Sequence, residues 1–316
     1  MRPCRIARNP HPAGSVRFIP LIKALKEGLV ANQILSVMGI LNGTANYILT
    51  QMTEEGTPFA EVLKEAQELG FAEADPTYDV EGIDTAHKLA ILLSIAYGMN
   101  ITPAQIVTEG ISRIEPLDID FAREFGCRIK LLAVGRSLES GEIEARVYPT
   151  MVPDSHLLAS INGACNAIEF CGDLTGSIIL SGAGAGKLPT GSAVAADVVD
   201  IAHKITAGSV GWTPMLSSAK VRRIASPAEL HSPSYLRITA LDKPGVLANI
   251  ATILSKHGIS IESVIQKGRE ENEPVAVVIL SHMASEAVMA AALTEIDALA
   301  TVTAPTVRIR MLVEEE

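Results

Sequence analysis

Five carboxylates, Glu73, Asp75, Asp79, Glu81 and Asp84, stand just ahead of one lysine, Lys88, in the stretch AQELGFAEADPTYDVEGIDTAHK over residues 66–88. Acids this dense beside a single ammonium suit a pocket for an amine-bearing substrate. The run LAILLSIAY that follows Lys88 is apolar except for Ser94, the pattern of a helix buried on every side. Lys88 is therefore expected at the rim of a core. Helix stability does not ask for a lysine there, because the macrodipole favours acids in a first turn. A lysine half out of water beside carboxylates has a tunable proton affinity, which general acid-base catalysis requires. The plain alternative is an i,i+4 ion pair between Asp84 and Lys88, worth about 0.3–0.5 kcal/mol when solvated. A calcium loop fails: begun at Asp75, it needs glycine where Val80 stands and glutamate where Ala86 stands.

The elements that must position these residues follow from periodicity. Residues 21–29 read as a helix, 33–40 as a strand and 44–50 as a second helix capped by Asn42-Gly43-Thr44. Residues 58–69 form an amphipathic helix with Phe59, Val62, Leu63, Ala66 and Leu69 on one face, ending at Gly70 as a C-cap glycine should. Strand-like runs at 129–136, 143–151, 167–172 and 175–180 predict an α+β unit around a mixed or antiparallel sheet. Residues 213–233, with Pro214, Ser217, Ser218, Ser226, Pro227, Ser232 and Pro233, have the composition of a linker. Beyond it, over 234–316, the order strand, helix, strand, strand, helix, strand predicts a ferredoxin-like second unit, making the whole chain α/β.

Ala66, Gly70, Phe71, Asp75, Pro76, Asp79, Gly82, Asp84 and Lys88 stand in one frame that resembles the signature of homoserine dehydrogenase. The stretches 25–49 and 181–202 resemble the segment before that signature and the family's glycine loop and final helix, so the similarity covers most of residues 19–212. The resemblance implies hydride transfer between NADP or NAD and C4 of L-homoserine, giving or consuming L-aspartate 4-semialdehyde. It makes Lys88 the proton donor and acceptor, Glu73 and Asp84 the groups that hold the substrate, and Asp79 a substrate-side residue that orients its neighbours. Gly70, Gly182, Gly184 and Gly186 are expected on the cofactor side. Taken alone, the GAGAG run is a flexible connection, but ahead of a helix it can present backbone N–H groups. The second unit, with Asp242-Lys243-Pro244-Gly245-Val246-Leu247 at its first strand-to-helix turn, resembles an ACT domain. That implies an effector pocket for an amino acid such as threonine at Asp242, Gly245, Val246, Leu247 and Asn249, at the interface of a homodimer or homotetramer. The alternative for this turn is an ordinary type I or II turn with proline at i+1.

The front of the chain departs from the family pattern. Residues 1–18 contain no strand-turn-helix and no Gly-rich fingerprint of a Rossmann unit. They are expected to be an atypical leader on a truncated product whose main cofactor domain is lost, and not a signal peptide, since no apolar stretch follows Arg8 before the family-like region. Pro12, Ser15, Arg17 and Phe18 stand where the family carries sodium ligands, which puts a sodium site in question; no other metal site is expected. Hydrophobic content of 48% with 4% aromatic residues across 316 residues leaves room for two aliphatic cores. Net charge of −10 argues against nucleic acid or an anionic membrane as partner. Cys4, Cys127, Cys165 and Cys171 show neither metal spacing nor a disulfide framework, and no segment reaches membrane-span length, so a cytoplasmic protein is expected. Two functional readings stand: a homoserine dehydrogenase, or a catalytically silent fragment that dimerises and binds amino acids.

Overall fold

A computed structural model of the chain describes residues 19–208, 223–266 and 273–313. The expected leader, Cys4 and the linker residues 213–222 lie outside these. The elements are α1 (Leu21–Lys23), continued by a π-helical turn over Ala24–Gly28, β1 (Ile34–Ile40), α2 (Gly43–Glu55), α3 (Phe59–Glu68), α4 (Thr77–Val80) and α5 (Ile83–Tyr97). They are followed by β2 (Val107–Thr108), α6 (Pro116–Glu124), β3 (Cys127–Ser137), β4 (Ile143–Pro153), β5 (Cys165–Gly172), β6 (Gly176–Ala183) and α7 (Lys187–Thr206). The C-terminal unit comprises β7 (His231–Leu241), α8 (Val246–Lys256), β8 (Ile261–Gln266), β9 (Pro274–Ser285), α9 (Glu286–Asp297) and β10 (Val307–Met311).

The strands form one sheet in the order β6-β5-β1-β3-β4-β10-β7-β9-β8, with β2 paired to β4. Within the C-terminal unit the order β10-β7-β9-β8 is the ferredoxin-like arrangement read from the sequence. The sequence predicts a sheet in each of the two units and says nothing of a pairing between them. The two are fused, because β10 pairs with β4 in parallel through Arg310 opposite Thr150 and Met311 opposite Met151. β7 begins at His231, so Ser232 and Pro233 belong to a strand and not to the linker.

Helices α2 and α5 lie on the N-terminal part of the sheet, and their inner faces (Ile48, Leu49, Met52, Leu89, Leu92, Leu93) are almost wholly buried. Full burial of each such side chain contributes about 1.5–3 kcal/mol. The approach of α5 to β3 is close enough that a Cβ on Gly135 would stand 2.2 Å from Leu93 Cδ2. That contact fixes α5, and with it Lys88, against the sheet. The helix is not buried all round as its composition suggested: Ile83, His87 and Ile91 form an outward row, with Ile91 56% exposed.

The C-terminal sheet has two apolar faces. Leu236, Ile238, Val277 and Ile279 pack under α8 and α9. Tyr235, Val278, Leu280 and Ile309 instead join the core of the N-terminal region. Charged side chains cross the same seam. Asp118, fully buried on α6, accepts hydrogen bonds from Tyr235 Oη at 2.8 Å and Arg237 Nε at 2.7 Å. Arg310 pairs with Glu286 at the start of α9 and with Glu109 beyond β2, its guanidinium 3.9 Å from the Tyr148 ring centroid.

Candidate active site

The site begins where β1 ends. Leu41 and Asn42 leave the strand, and the Asn42 side chain caps α2 by accepting from Ala45 N at 2.8 Å. A carboxamide that caps with its oxygen keeps two N–H donors for other work. Asn42 Nδ2 donates to Asp79 Oδ1 at 2.8 Å and to Asp84 Oδ2 at 2.9 Å. One side chain therefore ties the start of α2 to α4 and to the first turn of α5.

Helix α5 starts at Gly82, whose φ of 76° lies in the left-handed region and whose missing Cβ avoids Thr108 Cγ2 at 3.0 Å. Asp84 in the first turn faces the positive end of the helix. One turn later Lys88, 7% exposed, points back so that Nζ lies 2.6 Å from Asp84 Oδ2 and donates to Leu41 O at 2.9 Å. Asp79 is half-buried; burial and the neighbouring Asp84 charge push its pKa up, against hydrogen bonds from Asn42 and Thr44 and the Lys88 charge. The arrangement is a buried ammonium aimed by a carboxylate and a carbonyl, beside a second carboxylate whose negative charge burial disfavours. It can hold or move a proton at a substrate oxygen and can attract a substrate ammonium.

The structure brings Lys88, Asp84 and Asp79 together. Glu73 stands exposed on the loop between α3 and α4, its carbonyl held by Gln67 Nε2 at 3.0 Å. Asp75 turns to its own backbone, accepting from Thr77 N at 3.1 Å, and Glu81 packs on Gly110. Gly70, with φ of 76°, ends α3. Sequence reasoning saw Asn42 only as a cap and missed its bridge between the acids; it also missed Leu41 O, since a backbone carbonyl carries no mark in a sequence.

The glycine loop lies across the ends of β5 and β6. Gly184 and Gly186 have a steric or conformational reason to be glycine, whereas a Cβ on Gly182 would meet only Ile19 Cγ1 at 3.6 Å. Gly182 opposes Asn166 in the strand pair. Gly184 rests on the Asn166 carboxamide, where a Cβ would stand 2.2 Å from Nδ2. Gly186, with φ of 129°, adopts a backbone closed to other residues at the start of α7. A nicotinamide cofactor fits this chemistry, because the first N–H groups of a twenty-residue helix have no partner within it and a buried acceptor, Asn166 Oδ1, is unpaired beneath the loop. Among the described residues no group of three or more His, Cys, Asp or Glu side chains could hold a metal ion.

A second pocket of about 370 Å³ opens in the C-terminal unit, lined by Asp242, Gly245, Val246, Leu247, Gln266 and Val275 among others. Gly245 there has φ of 90°. Asp242 Oδ1 accepts from Gln266 Nε2 at 3.3 Å, while Oδ2 is buried and unpaired. Asn249 lies further along α8, exposed, its N–H bonded to Gly245 O at 2.9 Å.

Comparison with known proteins agrees along the chain. The homoserine dehydrogenase family profile matches residues 20–199 and the ACT domain profile residues 234–301. A homoserine dehydrogenase from Neisseria gonorrhoeae is 46% identical over 297 residues, covering 93% of this chain and 68% of that protein. One from Pseudomonas aeruginosa is 48% identical over 298 residues with the same coverage. The crystal structure of a homoserine dehydrogenase from Thiobacillus denitrificans superposes with a TM-score of 0.87 at 44% identity, covering 94% of this chain and 68% of that one.

Proposed function

The chain belongs to the homoserine dehydrogenase family, whose NAD(P)-dependent reaction interconverts L-homoserine and L-aspartate 4-semialdehyde, and from that premise we propose Lys88 as the group that moves the proton. The observation that carries this reading is the fixed geometry at Nζ, 2.6 Å from Asp84 and 2.9 Å from Leu41 O. In aldehyde reduction Lys88 donates to the carbonyl oxygen, and in alcohol oxidation it takes the hydroxyl proton back. A nicotinamide cofactor, when bound, would supply hydride acceptance or donation. Asp84 and Asp79, locked to each other by Asn42, face the substrate ammonium, and Glu73 closes over it from the loop. Gly182, Gly184 and Gly186 flank the cofactor, NADP or NAD, with Gly70 on the same side. Assayed with an intact nicotinamide-binding domain, replacing Lys88 by alanine should lower kcat by about two to four orders of magnitude with a smaller change in KM for homoserine. Near-normal turnover would remove Lys88 from the mechanism.

The C-terminal pocket is read as an amino-acid effector site. The unpaired Asp242 oxygen suits an ammonium, and the N–H groups at Gly245, Val246 and Leu247 suit a carboxylate, with Asn249 reached by the side chain. Threonine at about 100 times its Kd should stabilise the folded chain by roughly 2.7 kcal/mol, raising its melting midpoint. Gly245→Val, strained at φ of 90°, should abolish that rise. An unmoved midpoint with threonine and with the other amino acids of the aspartate pathway would leave the unit a purely structural one. A homodimer or homotetramer in the cytoplasm completes the reading; among the described residues no helix is long and apolar enough to cross a membrane.

A further inference from the structure

Asn166, on β5, is 4% exposed and belongs to neither the acids nor the glycines. Its Nδ2 donates to Leu41 O at 3.3 Å, the same carbonyl oxygen that accepts from Lys88 Nζ at 2.9 Å. A carbonyl has two lone pairs, so one oxygen serves both donors. The peptide plane that carries Leu41 O also carries Asn42 N, and Asn42 is the residue that holds Asp79 and Asp84. Rotation of this plane would therefore displace both partners of Lys88 together: the carbonyl directly, and the carboxylate through Asn42. On its other side the Asn166 carboxamide meets Gly184, and its Oδ1 is buried without a partner near Gly43 and the glycine loop.

We propose that Asn166 is a positioning residue for the reaction, fixing the Leu41–Asn42 peptide and so the direction of Lys88, and coupling that direction to the glycine loop resting on it. This rests on the reading of Lys88 as the proton-moving group. Asn166→Ala removes the donor and the support under Gly184. Asn166→Asp keeps the shape but sets an acceptor against Leu41 O, which repels it.

The test labels lysine Cε in this chain with ¹³C and assigns the Lys88 resonance by its loss in Lys88→Arg. Asn166→Ala and Asn166→Asp should each move the Lys88 resonance, whereas Asn162→Ala, which touches Lys130 and not Leu41, should leave it in place. In turnover, Asn166→Ala should lower kcat about tenfold with KM for homoserine changed less than about threefold. Gly184→Ala should lower the melting midpoint of the wild type by several degrees and that of Asn166→Ala by far less. A Lys88 resonance unmoved in Asn166→Asp overturns the proposal whatever the turnover, as does a loss of KM alone. If Asn166→Ala fails to fold, the isosteric Asn166→Asp decides. Full activity of Lys88→Ala would sink the reading of Lys88 instead, and the resonance shift would still report whether Asn166 aims it.

Discussion

Two lysines are buried against helix α2, one turn of that helix apart, and they are built in opposite ways. Lys88 reaches the Asn42 end with a carboxylate at 2.6 Å. Lys130, from β3 and 3% exposed, reaches Asn46 and finds neutral oxygens: Ile161 O at 2.6 Å, Asn162 Oδ1 at 3.1 Å and Asn46 Oδ1 at 3.2 Å. Burial without a carboxylate in contact, helped by the nearby Arg128 charge, pulls the Lys130 pKa down to about 8. A search by perturbed pKa alone would thus select Lys130, which meets no carboxylate, and not the lysine proposed to move the proton. Lys130 pins the 161–163 loop, which Asn46 also holds by donating to Ile161 O, Gly163 O and Cys165 O. A shifted pKa reports desolvation; a site needs, in addition, charges arranged for a ligand.

The sharpest break between the two comes from alanine substitution. Lys88→Ala should cost the two to four orders of magnitude in kcat given above, beyond any stability lost because Asp84 and Asp79 are left without their ammonium. Lys130→Ala should act on stability alone, lowering it by a few kcal/mol because three acceptors lose their donor, with kcat within about tenfold of wild type. If Lys130→Ala instead abolishes turnover in a protein of unchanged stability, the division of roles is wrong.

A third buried charge extends the comparison. Asp118→Asn would leave Arg237 without its closest carboxylate across the seam between the two units, a loss of about 3–5 kcal/mol by urea denaturation. A loss below about 1 kcal/mol would mean that Glu115, 3.0 Å from Arg237 Nη2, suffices alone.

The pH dependence of Lys130 is a subtler test. Folding lowers its pKa from 10.5 to about 8, so between those values the unfolded chain holds a proton that the folded chain has released. Stability owed to this group therefore rises with pH across that window, and its full cost is present below about pH 8. The stability of wild type relative to Lys130→Met should be level below pH 8 and climb above it, by about 3 kcal/mol at most. A flat difference would show that Lys130 titrates normally.

The smallest effect separates the acids around Lys88. Glu73→Gln, on an exposed loop, should raise KM for homoserine a few-fold, about 1 kcal/mol, whereas Asp84→Asn should raise KM and also lower kcat because it releases Lys88. Equal behaviour of the two would put Glu73 in the same tight cluster.

Much of this architecture is local and could be read in order along the chain. Helix α3 and its glycine end, the spacing that sets Asp84 one turn from Lys88, and the strand-helix order of the C-terminal unit all follow from periodicity and turn residues. Helix α6 was not read, although Pro116 with Glu115 and Asp118 forms a capping arrangement there, because its nine residues are short and weakly patterned. Fusion of the two sheets was invisible for a different reason: the pairing of β10 with β4 joins residues some 160 apart and leaves no periodic trace. Asn166 shares a mostly apolar strand with one other polar residue, Glu169, and nothing local tells a positioning carboxamide from one that merely satisfies a neighbour. Of the partners of Lys88, Asp84 on the same helix was legible from spacing, whereas Leu41 O and the Asn166 carboxamide behind it lie on other elements and were not.

The seam strand β10 also sets an order in time. It lies between β4 and β7, and it is translated after every other strand of the sheet. While the chain is being made, the apolar face carried by Tyr235, Val278 and Leu280 has no closed partner across that gap, and β4, paired to β2 at Arg146 and Val147, stands open beside it at Thr150 and Met151. Assembly of the N-terminal region can precede the synthesis of β10, but closure of the sheet cannot. The interval before β10 arrives is when the nascent protein is most exposed to pairing with a neighbouring chain.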